Sequence, residues 1–317
     1  MKTWVTRFVL AVDVSLIWLS FFAMNLHADA PITALAMAPD GRFVVFGSQQ
    51  GIEVRDFPAL SLVAQWKTQL TNVHDLQFSP DGKTLLAAGG SPAEFGMIEN
   101  WNWSEKKCLN SIKVHRDVVY RVAWSTDGSH WATASGDGEC QVFEKATATR
   151  SASYTGHSRG VLSLVFLDND TIASAGMDQT IRLWNCRTGE HLRTLDNHTD
   201  TVNQLAVRPS LADEKMMFLG SIGEDRTIRL WQPLIGRLVR FARLSSVPRC
   251  LAWTADGQQI LIGCNDGRLR IVDFESMDVT HEIPAVDDRI HELVLAGDSK
   301  SVLVAGAKGG VVVELNK

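Results

Sequence analysis

Between Pro31 and Lys317 the apolar positions come in short runs, some alternating and some continuous, each ending at a turn-forming cluster such as Pro-Asp-Gly, Thr-Asp-Gly or Ala-Asp-Gly. β-Branched and aromatic residues dominate these runs, and no long stretch carries the i, i+3, i+4, i+7 spacing of an amphipathic helix. The pattern predicts strands throughout. It also repeats. Comparable segments start at residues 36, 77, 123, 165, 206, 252 and 294, from Ala36-Met37-Ala38-Pro39-Asp40-Gly41 to Val294-Leu295-Ala296-Gly297-Asp298, so units of 41 to 46 residues fill the chain from about residue 31. In each unit a first strand carries a bulky residue before the turn (Phe78, Trp124, Phe166, Trp253). A second strand follows, as in 84–88, 131–134 and 259–263, and then a third, as in 180–184 and 227–231. A strand unit this short cannot bury its faces alone, and stacking on its neighbours gives it a core.

Three units share a finer spacing. Unit four has Gly156-His157, Ser174, Asp178 and Trp184-Asn185; unit five has His198, Ser221, Asp225 and Trp231-Gln232; unit three has His115, Thr133, Asp137 and Phe143. In all three the hydroxyl residue precedes the aspartate by four positions, and the aspartate precedes the aromatic residue by six. Unit two reaches Trp101-Asn102 through a longer connection, Gly89 to Met97. On these residues the chain resembles the WD-repeat family. The resemblance implies an all-β, seven-bladed β-propeller of four-stranded antiparallel blades. It further implies a buried relay in which aspartate meets histidine, histidine meets the hydroxyl, and the hydroxyl meets the indole N–H. The implied members are His115, Thr133 and Asp137; His157, Ser174, Asp178 and Trp184; and His198, Ser221, Asp225 and Trp231. A Ser–His–Asp trio can also make a hydrolase. Its recurrence in successive units beside a tryptophan favours structural bracing instead.

The other units are degenerate: Arg55-Asp56, Val272-Asp273 and Leu315-Asn316 stand where the dipeptide should be, and units six and seven lack the histidine. They are expected to rely on apolar packing alone and to open first. Six units have room for an outer fourth strand, and unit seven does not. The resemblance implies a strand lent from the N-terminus, for which residues 18–25 are placed, with His27 in the histidine position.

Residues 1–30 have a competing reading. Lys2 and Arg7 precede an apolar stretch from Phe8 to Met24, interrupted by Asp13 and followed by Ala28-Asp29-Ala30. That is the outline of an export signal. The expected organisation is therefore an N-terminal hydrophobic segment, 1–30, and a propeller, 31–317. Export or envelope association through residues 8–24 is favoured over a cytoplasmic location.

Composition narrows the chemistry. A net charge of −5 argues against a nucleic-acid surface. The five cysteines, at 108, 140, 186, 250 and 264, form no C-x-x-C pair and fit no zinc spacing. Buried free thiols are expected, with Cys250 and Cys264 on adjacent strands. No phosphate loop, H-E-x-x-H or G-x-S-x-G occurs, so neither a cofactor nor a metal is expected. The sequons at Asn102, Asn169 and Asn197 read as chance matches, and two of them fall on motif positions.

What remains is surface. The resemblance implies partner docking around the mouth of a central channel. By position within each unit the mouth residues are Thr33, His74, Tyr120, Leu162, Asn203, Arg249 and His291. Tyr120 and Arg249 are the expected anchors, since tyrosine and arginine are enriched in binding hot spots. The ring contains no carboxylate, which counts against acid–base or metal chemistry there. The expectation is a non-catalytic scaffold for protein or peptide partners; the alternative is a ligand-sensing or enzymatic propeller with its site at the mouth.

Overall fold

A computed structural model describes residues 30–209, 216–297 and 299–315. Seven antiparallel sheets follow one another along the chain, each a meander in sequence order. They span residues 34–66, 73–115, 119–154, 161–195, 202–243, 248–284 and 292–314, and are called blades 1 to 7. Six have four strands; the seventh has three among the described residues. The segment expected to supply its fourth strand, residues 18–25, lies outside the described residues, as does the cleavable or membrane-embedded reading of residues 1–29. The described helical structure is one short 3₁₀ turn, Pro233–Ile235.

The first strand of each blade touches the first strand of the next, and that of blade 7 returns to that of blade 1. These seven inner strands therefore ring the axis. Each interface between blades holds its own apolar cluster, from Val45, Leu76 and Trp101 between blades 1 and 2 to Phe46, Leu303 and Ala305 between blades 1 and 7. Closure is further stitched by Ile32 N–H donating to the Gly306 carbonyl at 3.3 Å. A middle strand is buried on both faces, as in Thr171–Gly176 (TIASAG), where every position is buried, whereas an outer strand such as His191–Leu195 is largely exposed.

A bulge sets the entry into most blades. In blade 4 the pairing shifts between Val161 and Ser163, which swings the incoming loop over the end of the second strand. A Cβ on Gly176 would stand 2.2 Å from the Gly160 carbonyl oxygen, and one on Gly89 would stand 1.9 Å from that of Asn72. Only glycine admits that crossing.

Blade 6 corrects one expectation. It does not rely on apolar packing alone. Arg270, 2% exposed, donates to Asp266 Oδ1 at 2.9 Å and Oδ2 at 2.7 Å, to Ser245 Oγ at 2.7 Å and to Glu282 Oε1 at 3.2 Å. A long cation reaches partners that a histidine would have met at closer range. Blade 2 uses another substitute: buried Glu99 accepts from the Trp101 indole at 3.1 Å, the Thr68 hydroxyl at 2.7 Å and Gln69 N–H at 2.7 Å. In blade 7 buried Glu292 is held from other blades, by Arg121 and Gln204, rather than from within its own sheet, so blade 7 is expected to open before blade 6. Hydrogen exchange should show faster amide loss over 292–314 than over 248–284; equal protection would contradict the bracing role of Arg270.

All five cysteines are free, and four of them are buried. Cys250 and Cys264 lie on adjacent strands of blade 6. Burial pushes both thiols up, Cys264 to about 11, which keeps them protonated and unreactive.

Candidate functional site

Three blades carry the relay. In blade 4 the Trp184 indole donates to Ser174 Oγ at 3.1 Å, Ser174 Oγ lies 2.8 Å from His157 Nε2, and His157 Nδ1 lies 3.0 Å from Asp178 Oδ2. Blade 5 repeats this through Trp231, Ser221, His198 and Asp225 at 2.8, 2.7 and 2.9 Å. In blade 3, His115 meets Thr133 at 2.8 Å and Asp137 at 3.1 Å, and Phe143 supplies no donor. Since the carboxylate only accepts, Nδ1 carries the imidazole proton, and Nε2 is left to accept from the hydroxyl. Ser174 and Ser221 are fully buried, so no substrate carbonyl reaches either oxygen. His115, Asp137 and Glu139 converge within 4.8 Å, but both ring nitrogens of His115 are already used.

The aspartates are tuned by this contact. Burial alone would raise the Asp137 carboxyl, but the hydrogen bond from His115, with backbone N–H donors, brings it down to about 2; Asp178 and Asp225 are lowered further in the same way. A carboxyl depressed in the fold adds stability above its unfolded value, near 3.8, and that stability is lost as pH falls through the folded value. The propeller is therefore expected to weaken between about pH 4 and pH 2. Tryptophan fluorescence during acid titration should show an Asp178→Asn variant with a flatter dependence in that window, and an unchanged slope would contradict it.

All seven predicted mouth residues line one cavity of about 360 Å³ at one end of the axis, together with Arg121, Gln204, Arg289, Ile290 and Glu292. Each of the seven is half-buried. Several are already engaged. The Thr33 hydroxyl donates to the Val73 carbonyl, and Asn203 Nδ2 donates to the Pro248 carbonyl at 2.9 Å, so both tie neighbouring inner strands together. Arg249 donates to Glu224 at 2.6 Å and to Asn265 at 2.8 Å. His74 stands edge-on to Tyr120 with ring centroids 5.3 Å apart. Burial lowers both mouth histidines, His74 to about 4, so neither ring is cationic at neutral pH.

The seven predicted positions carry no carboxylate, but the cavity they line does. Glu292 lines the cavity floor, where Arg121 donates to its Oε2 at 2.9 Å. Arg121 Nε also lies 3.5 Å from Asp75, and Gln204 reaches Glu292 at 3.5 Å. Asp75 further accepts from Val122 N–H and Leu76 N–H, both at 2.9 Å. Blades 2, 3, 5 and 7 thus meet across the axis. The sequence held a signal for this tier: Asp75, Arg121, Ser163, Gln204 and Glu292 each follow a mouth residue, placing polar groups inside otherwise apolar strands.

Comparison with known proteins places these features among relatives. The family model "WD domain, G-beta repeat" matches residues 106–144, 148–185 and 189–232, and that of the "Anaphase-promoting complex subunit 4 WD40 domain" matches 230–298. The chain is 26% identical over 79% of its length to a Periodic tryptophan protein 2 homolog of Dictyostelium discoideum, of which it covers 27%. It is 26% identical over 72% of its length to a U3 small nucleolar RNA-associated protein 15 homolog of Xenopus laevis, covering 43% of that protein. It is 24% identical over 74% of its length to the Anaphase-promoting complex subunit cdc20 of Dictyostelium discoideum, covering 47%. The chain thus spans less than half the length of each of these three relatives.

These likenesses overturn the expected export or envelope association. The relatives carry the names of nucleolar and anaphase machinery rather than of exported or envelope proteins. A basic start before an apolar stretch is a weak signal, because a strand that ends up buried in a sheet has the same composition. No helix among the described residues is long and apolar enough to cross a membrane.

Proposed function

The chain belongs to the WD-repeat family of β-propellers, and we propose that it works as a non-catalytic scaffold, holding protein or peptide partners on the face around the channel mouth. One observation carries this reading: seven side chains, one from each blade's entry, converge on a single open cavity. Each comes from the position just before or at the start of an inner strand, so the rigid ring presents them together. Their chemistry suits contact. Tyr120 and Leu162 offer area at low entropic cost, and Arg249 offers a directed charge already oriented by Glu224. An enzymatic or ligand-sensing mouth is disfavoured because its carboxylate is committed to Arg121 and its histidines are held neutral. The names of the relatives, subunits and associated proteins of larger assemblies, support the same reading.

The test is site-specific photo-crosslinking in cells of the native source, with the crosslinker at position 120 or at exposed Thr147 on an outer turn, followed by affinity measurement on the captured partner. Capture is expected from position 120 and not from 147, and Tyr120→Ala and Arg249→Ala should each weaken binding about tenfold, or 1.4 kcal/mol. A partner whose affinity ignores both substitutions would overturn the assignment of the mouth.

A further inference from the structure

Resting on that reading of the mouth, we infer that it selects an acidic peptide segment, in which a carboxylate side chain docks between Arg249 and Arg289 while a neighbouring apolar side chain lies against Tyr120 and Leu162.

The sign of the charge follows from which groups are already satisfied. Among the described residues that line the cavity the carboxylate is Glu292, occupied by Arg121, Gln204 and Leu293 N–H; Asp75 beneath it is held by two backbone N–H groups and Arg121, and Glu224 outside it by Arg249. Asp117 and Asp288 stand near Tyr120 and His291 but accept from backbone N–H groups and do not line the cavity. A cationic ligand seated in the cavity would therefore have to displace Arg121 from Glu292 to find a carboxylate. An anionic ligand breaks nothing. Arg289 is exposed, lines the cavity and has no carboxylate partner among the described residues. Arg249 spends Nε on the neutral amide of Asn265, and its one carboxylate partner, Glu224, does not line the cavity.

The cavity is also two-sided. Arg249, Arg289 and His291 come from blades 6 and 7 and the link between them; Tyr120, packed against His74, and Leu162 come from blades 3 and 4. A polyanion would use only the first half and would meet a chain of net charge −5. A peptide carrying a Glu or Asp beside a Leu uses both.

The test is fluorescence anisotropy of the full chain with a labelled Gly/Ser peptide containing a central Leu-Glu-Glu-Leu, against the same peptide with Gln or Lys in place of Glu. The Glu peptide should bind at least tenfold tighter than either, with affinity falling as salt rises, and Arg289→Glu should weaken it at least tenfold. Arg289 is exposed, so that variant keeps its fold, which its thermal midpoint verifies. Equal binding of the Gln peptide, preference for the Lys peptide, or indifference to Arg289→Glu would overturn the inference. Displacement of the peptide by a single-stranded oligonucleotide at lower concentration would overturn it in favour of nucleic acid. If partner capture responds to Tyr120→Ala but no acidic peptide competes, the scaffold reading stands and the acidic selectivity falls; if neither responds, both fall.

Discussion

Arg121→Met should destabilise the propeller by about 3 kcal/mol at neutral pH, because it strands two carboxylates that fold together around one cation. Asp75 and Glu292 are almost wholly withdrawn from water, at 3% and 12% side-chain exposure, and Arg121 bridges them from a third blade. Burial raises both carboxyls above their ordinary values, and Arg121 opposes that rise. The variant removes the opposition, so both should rise further and take up protons. A carboxyl raised in the fold adds stability that is fully present below its unfolded value and is lost as pH rises through the folded one. The deficit of Arg121→Met should therefore shrink as pH falls towards about 4, and urea unfolding at several pH values measures this directly. A deficit that is constant with pH, or absent, would mean that Arg121 contributes only its packing.

His157→Ala should cost about 3 kcal/mol, since it leaves the buried Ser174 hydroxyl and Asp178 carboxylate without their shared partner. Trp184→Phe should cost about 1 kcal/mol, because the ring remains and only one indole donor is lost. The double variant should fall short of the sum, as the two residues act on the same hydroxyl at 2.8 and 3.1 Å. Neither residue lines the mouth cavity, so partner affinity should be unchanged while the thermal midpoint falls by several degrees. Unaltered midpoints would deny the relay its bracing role, and a matching loss of affinity would place it in the site.

Much of this was readable from residue types and spacing. The relays of blades 3, 4 and 5 obey a local rule: strand and turn geometry sets where a histidine before the inner strand, a hydroxyl on the second strand and an aspartate in the next turn must lie. Sequence offsets of four and six are enough to find them. The mouth residues were legible for the same reason, as each sits at one fixed offset from its own repeat. The braces that replaced the relay were not. Glu99 and Arg270 stand in strands at positions where they resemble solvated charges, and only the neighbouring link shows that Thr68 and Ser245 wait for them.

By itself the sequence determined the strand content, the seven units, their order, and the internal chemistry of each standard blade, because alternation and turn residues act over a few positions. The tertiary structure decided whatever depends on distance across the ring. It brought Arg121 of blade 3 against Glu292 of blade 7, 171 positions apart, and so put a filled ion pair under a mouth whose own seven positions are uncharged apart from Arg249. Closure causes that difference. Side chains pointing at the axis meet partners from every blade, and the local pattern of one blade carries no information about what the others bring.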